Sequence, residues 1–160
     1  PLFWLAVIYL NYAEAAAELG AITQSDLDMS INKLKTRAGL PALTVAVGFN
    51  DPANNMGVSS LIWEIRRERR CELIMDNNNR YWDLVRWHQL DKLDTSAFPD
   101  VILGANIANA PAYDKAIPKV GNYIDGSKKL SRKYDKKYYW YPIPSDQISL
   151  NDKLTQNPNW

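Results

Sequence analysis

"IRRERRCELIMDNNNRYWDLVRW", Ile65 to Trp87, combines a helical period with charges on what should be its inner face. Periodicity predicts a helix over residues 60–75, with Ile62, Ile65 and Leu73 on one face. Arg69 falls on that face where an apolar side chain is expected, and Glu68 flanks it. A charge on a core stripe is costly unless it is paired and hydrogen-bonded. The next helix, expected over residues 79–88, offers Arg80, Asp83 and Arg86 one turn apart. The reading is therefore a helix pair, residues 59–92, joined by a partly buried ion network of Glu68, Arg69, Arg80, Asp83 and Arg86. Ser59 or Ser60 caps its first helix, and the turn Asp76 to Asn79 is built of residues that tolerate positive φ.

A second pair is expected over residues 1–41. Leu5, Ile8, Tyr9, Tyr12, Ala16 and Leu19 recur at helical spacing and predict a helix from Leu2 to Leu19, stopped by Gly20. Another helix is expected from Ser25 to Ala38, capped by Ser25 with Asp28 and ended by Gly39 and Pro41. Thr44 to Val47 reads as a brief extended piece. From Asp94 to Lys137 prolines and glycines break the periodicity, and "DGSKKLSRKYDKK" reads as a solvated basic loop or hairpin. The tail, Tyr138 to Trp160, holds three prolines that remove amide donors, so it is expected to be non-helical. Its rings are expected to lie across the helix pairs as a clasp, with Gln156 and Asn157 bonding to exposed backbone. The fold class is mostly α: antiparallel helix pairs, long irregular loops and a non-helical C-terminal tail, with residues 94–160 forming the irregular segment and clasp.

Several function classes drop out. The net charge of +1 gives no footprint for nucleic acid. The single cysteine, Cys71, has no metal-ligand spacing and reads as a packing residue; no metal and no cofactor is expected. Glu64, Glu68 and Glu72 share a helix side, as a glycosidase pair might, but Arg66, Arg67, Arg69 and Arg70 would hold them ionised and unfit as a general acid near neutral pH. His88, the only histidine, ends a helix and reads as a partner for its free carbonyls. No residue is assigned a catalytic role. The opening "PLFWLAVIYL" is apolar but breaks at Asn11 and Glu14, short of the roughly 20 residues that span a bilayer. A chain that opens inside a helix is expected to lack its true N-terminus.

The aromatics remain, six Trp and nine Tyr, more than the helical core needs. Those on helices read as core. Phe98, Tyr113, Tyr123 and Tyr134 lie in the irregular region and are freer to stack on a sugar ring; Tyr113 and Tyr123 are the glycan-binding candidates.

Three blocks carry a resemblance. "YLNYAEAAAELG" with "INKLKTRAGLP", the block Ile65 to Trp87, and the tail with its Pro-Ile-Pro and Gln-Asn-Pro steps resemble, in order, the SusD/RagB family. The resemblance implies tetratricopeptide-like helix pairs and a non-enzymatic lipoprotein exposed on the outer-membrane surface. Such a protein binds a glycan, or sometimes a peptide, and passes it to a SusC-like TonB-dependent transporter. It implies that this is the C-terminal portion of a longer chain, with a lipid anchor elsewhere; Cys71 is not that anchor. Trp4 and Val7 depart from the Arg and Glu expected in the first helix, and "DNN" and "QNPNW" depart from the usual turn and ending. The alternative is a peptide- or protein-binding helical scaffold.

Overall fold

A computed structural model describes residues 4–76, 79–110, 117–127 and 130–160. The chain divides into two compact units, Pro1–Trp82 and Asp83–Trp160, each described here by itself. Among the described residues the fold is mostly helical, with one small sheet, as the sequence predicts. No described helix is long and apolar enough to cross a membrane.

The first unit contains α1 (Leu5–Glu18), α2 (Gln24–Met29), α3 (Ile31–Arg37) and α4 (Ser60–Glu72). Its core is Leu10, Ala13, Leu27, Ile31, Leu34, Leu43, Ile65 and Leu73, with α1 packed on α2, α3 and α4. The buried face of α1 differs from the expected stripe. Leu10, Ala13 and Glu14 are buried, whereas Leu5, Ile8, Tyr12 and Leu19 are exposed. A helix apolar on most sides offers two stripes, and the charges decide between them. Arg66 of α4 is buried and its guanidinium donates to Glu14 at 3.0 Å and Glu18 at 2.9 Å. Turning α1 to bury Leu5 and Ile8 would strip a buried arginine of its carboxylates, a larger cost than exposing two apolar side chains.

The expected single helix over residues 25–38 is two. Ser30 leaves helical geometry (φ −121°, ψ −102°) and its hydroxyl donates to the Asp26 carbonyl at 2.5 Å, competing with the backbone ladder. The cap is Thr23 rather than Ser25: its hydroxyl accepts from the Asp26 amide while the Asp26 carboxylate accepts from the Thr23 amide, a capping box two residues earlier than expected. Asn32 then binds both backbone groups of Leu43, at 2.7 and 2.9 Å, and fixes a segment without strand structure where a short extended piece is expected.

On α4 the cap is Ser59, whose hydroxyl accepts from the Ile62 amide. The buried face of α4 contains Glu64, Ile65, Arg66, Glu68 and Arg69. Glu64 binds Arg67, Glu68 takes Lys35 at 3.3 Å, Glu72 takes Arg37 at 2.6 Å, and Arg69 donates to Asn11 at 2.8 Å. Cys71 lies beyond the edge of that face and is exposed, not packed as expected.

The second unit opens with the end of α5 (Asn79–Arg86), where buried Asp83 accepts from Arg86 at 3.0 Å. Two 3₁₀ turns follow, Leu90–Leu93 and Pro99–Ile102. Then comes a sheet in the order β1-β3-β2, all antiparallel, of β1 (Leu103–Asn106), β2 (Lys119–Val120) and β3 (Tyr123–Asp125). The tail departs from its expected form in one place: α6 (Ser145–Leu150) is helical, started by Pro144, whose fixed φ of −54° suits a helix entrance. The rest of the tail is one 3₁₀ turn, Lys136–Tyr139, and extended or turned chain.

Replacing Glu14 by Ala leaves Arg66 buried with only its more exposed partners. We expect a loss of about 3–5 kcal/mol in chemical denaturation, against about 1 kcal/mol or less for Glu18→Ala, whose carboxylate is half in water.

Candidate functional site

Among the hollows lined by described residues, two stand as candidate ligand sites. The larger, about 610 Å³, belongs to the first unit and is walled by Trp4, Leu5, Tyr9, Leu34, Leu73 and Met75. Of its charged lining, Arg37 and Glu72 pair with each other, while Lys33 and Asp76 form no ion pair among the described residues. It is an apolar groove with a charged rim.

The second, about 400 Å³, is built wholly within the second unit by His88, Tyr134, Lys136, Tyr139 and Trp140. His88 stacks on Tyr139 with ring centroids 4.8 Å apart and planes 25° from parallel. Tyr134 meets Tyr139 edge-on at 6.0 Å. The Tyr139 hydroxyl accepts from the Leu90 amide at 3.0 Å, which fixes the ring. Burial, then the hydrogen bond to Tyr139, pushes the Tyr134 phenol up to about 12, so it stays neutral at physiological pH. Backbone bonds hold the Tyr134 segment in place: its amide donates to Asp94 at 3.0 Å, and Arg132 and Thr95 exchange bonds at 3.1 Å.

His88 occupies an unusual backbone position. Three helices end alike, the residue after the C-cap taking a left-handed conformation while two amides reach back to the last turn. At the ends of α1 and α3 that residue is glycine, Gly20 (φ 68°) and Gly39 (φ 69°). At the end of α5 it is His88 (φ 53°), closed by His88 to Val85 at 3.1 Å and Gln89 to Leu84 at 2.8 Å. A β-carbon costs energy there that glycine avoids. What the histidine adds is an imidazole against Tyr139. The expectation that His88 serves only the helix carbonyls is thus incomplete.

Trp140 stands at the mouth, exposed. Its backbone is held on both sides: its amide donates to the Lys137 carbonyl at 2.9 Å, and its carbonyl accepts from the Trp160 indole at 2.9 Å. The indole ring itself is left open.

The sequence profile of the SusD family matches residues 1–160, the whole chain. The chain belongs to the SusD family. It is similar to two solved structures of BT4246, a SusD-like protein of Bacteroides. One, the selenomethionine form, superposes with a TM-score of 0.62 at 29% identity, over 99% of this chain and 24% of that one. The other gives 0.61 at 28% identity, over 99% and 23%. This chain thus spans about a quarter of the length of those relatives. No curated protein matches.

Within this SusD-family chain the glycan candidates named from sequence fare differently. Tyr123 lies on β3 opposite Asn106 and Val120, is exposed, and lines neither hollow. Tyr113 lies outside the described residues. Phe98 is half-buried with the Lys92 ammonium over its ring at 5.3 Å. Tyr134 is in the pocket wall. Tyr139 and Trp140 join the pocket although they stand in a proline-rich tail whose rings are expected to pack, and His88 joins it from a helix end. The missing glycine after α5 was the available signal. Of the residues expected in the ion network, Asp83 pairs with Arg86, Glu68 takes Lys35 and Arg69 donates to Asn11; Arg69, Arg80, Asp83 and Arg86 are engaged in further interactions as well. Gln156 and Asn157 do bind backbone, that of the tail itself: Gln156 takes the amide and carbonyl of Ile143 at 2.8 and 2.9 Å, and Asn157 donates to the Tyr141 carbonyl at 2.6 Å.

Two outcomes follow from this wiring. Gln156→Ala should cost about 1–2 kcal/mol and speed amide exchange at Ile143, read by NMR. The amides of Tyr134 and Ser96 hold the Asp94 carboxyl below its usual range. Its stabilisation is complete above the ordinary carboxylate value and disappears as pH falls through the depressed one. An acid titration of stability should therefore lose part of its low-pH limb in Asp94→Asn.

Proposed function

We propose that this chain is the C-terminal part of a glycan-binding lipoprotein on the outer-membrane surface, one that captures oligo- or polysaccharide and passes it to a SusC-like TonB-dependent transporter. The observation that carries the reading is an open aromatic pocket, Tyr134, Tyr139 and Trp140, in a chain of the SusD family. Flat rings stack on the C–H faces of a pyranose, and nearby polar groups bond to its hydroxyls. The protein captures and does not cleave. The glutamates of α4 are tied to Arg67, Lys35 and Arg37, which suits a scaffold and not an acid–base pair. Glu68, Arg69, Arg80, Asp83 and Arg86 hold helices and take no part in binding. Attachment to the membrane is through a lipid anchor outside these residues.

A second reading, a peptide-binding helical scaffold, draws support from the apolar groove beside Trp4 and Met75. Titration of the intact protein with a panel of polysaccharides and peptides separates the two. We expect saturable binding to at least one glycan, reduced about tenfold or more by Trp140→Ala, in line with the roughly 1–3 kcal/mol of a lost stacking platform. Peptide binding without glycan binding would select the scaffold. Release of shorter sugars from the panel would overturn the non-enzymatic reading.

A further inference from the structure

We infer that the pocket between His88 and Trp140 is a subsite for an acidic sugar, a hexuronate whose ring lies against Trp140 and whose carboxylate meets Lys136. This deepens the glycan-binding reading and rests on it. Three features of the pocket lead here. First, its unengaged polar groups include a lysine ammonium and ring N–H donors. Lys136 lines the hollow and, among the described residues, has no acidic group within ion-pair distance. The neighbouring Lys137, by contrast, is committed to the rings of Trp160 at 4.5 Å and Tyr138 at 5.7 Å. The imidazole of His88 is engaged by stacking alone, and the indole N–H of Trp140 donates to no described protein group.

Second, several acceptors near the pocket already take a backbone amide. The Tyr139 hydroxyl takes the Leu90 amide, Asp94 takes the Tyr134 and Ser96 amides, and Asp135 takes the Lys137 amide to cap the 3₁₀ turn. A neutral sugar offers hydroxyls that donate as readily as they accept. A carboxylate offers only acceptors, and matches the Lys136 ammonium and the Trp140 indole N–H. Third, the segment that forms the floor is basic. Between Leu130 and Trp140 stand Arg132, Lys133, Lys136 and Lys137 against the single acid Asp135. Asp91 and Asp135 are both near enough to Tyr134 to help hold its phenol neutral, so the field is mixed. Lys136 is the cation that lines the hollow itself.

The geometry also explains why His88 stands in a glycine position. With glycine there the helix would end as well, but the face of Tyr139 now covered by imidazole would open, and the pocket would lose one wall and one donor.

The test compares an acid with its neutral twin. Oligomers of galacturonate, glucuronate and mannuronate, each as free acid and as methyl ester, are titrated into the intact protein, with a sulfated oligosaccharide as a further arm. At least one free acid should bind about three- to tenfold tighter than its ester, and the preference should shrink as salt rises. Lys136→Gln should bring acid and ester to the same affinity, while Trp140→Ala weakens both. His88→Gly should keep or raise the melting temperature and still weaken the acid. Equal binding of acid and ester, or a preference that survives Lys136→Gln, overturns the acidic subsite while leaving glycan binding standing. A Lys136-dependent preference for sulfated sugar without uronate binding overturns the carboxylate. Binding of none of these, nor of any glycan in the wider panel, removes both readings together.

Discussion

A guanidinium buried between two helices fixes the first unit. Arg66 sits in the seam of α1 and α4 with Glu14, itself almost wholly buried, as its partner. Such a pair gains little over a well-packed apolar contact, but losing half of it is expensive. Its value is therefore directional: one rotation of α1 satisfies the arginine and the others do not. Once that rotation is set, Leu10 and Ala13 face inward, Asn11 meets Arg69, and Leu5, Ile8 and Tyr12 face out. Lys35 and Glu68 repeat the device between α3 and α4.

The second unit solves a different problem. It has little regular structure, and its backbone groups find partners in side chains. Gln156, Asn157 and Trp160 close the tail on Tyr141, Ile143, Lys137 and Trp140, while Tyr139 and Asp94 tie the tail and the basic segment to residues 90–96. Each tie consumes a backbone group, and the ring of Trp140 stays exposed. A rigid backbone with open rings is what a sugar-stacking surface requires, because ordering costs are met in folding and not again at binding.

Much of this was legible in the residues. Ser59 announced α4, the glycines at 20 and 39 announced two helix ends, and the three ordered blocks announced the family. What misled was degeneracy. The first helix is apolar on most sides, so periodicity alone could not choose its inner face, and the deciding partner, Arg66, is 52 residues from Glu14. Two overlapping Ser/Thr-x-x-Asp patterns competed for one helix start, and Thr23 took it. Ser30 broke a helix through a hydroxyl-to-carbonyl bond that propensity does not register. The pocket escaped notice because it joins a helix end to a tail segment 49 residues away, through the Leu90 to Tyr139 bond. Proline had made the tail look purely structural; in fact Pro144 starts a short helix, and the neighbouring aromatics split between packing and exposure.

The six indoles offer the most direct check on where a ligand sits. In Trp63 the N–H is held by Asp51 at 2.9 Å, and in Trp160 by two carbonyls, whereas in Trp140 it meets no described protein group. A two-dimensional spectrum of the indole N–H groups, recorded as a bound saccharide is titrated in, should move the Trp140 resonance first and furthest and leave Trp63 in place. A saturating titration that shifts Trp4 and leaves Trp140 unmoved would put the ligand in the apolar groove of the first unit and contradict the account.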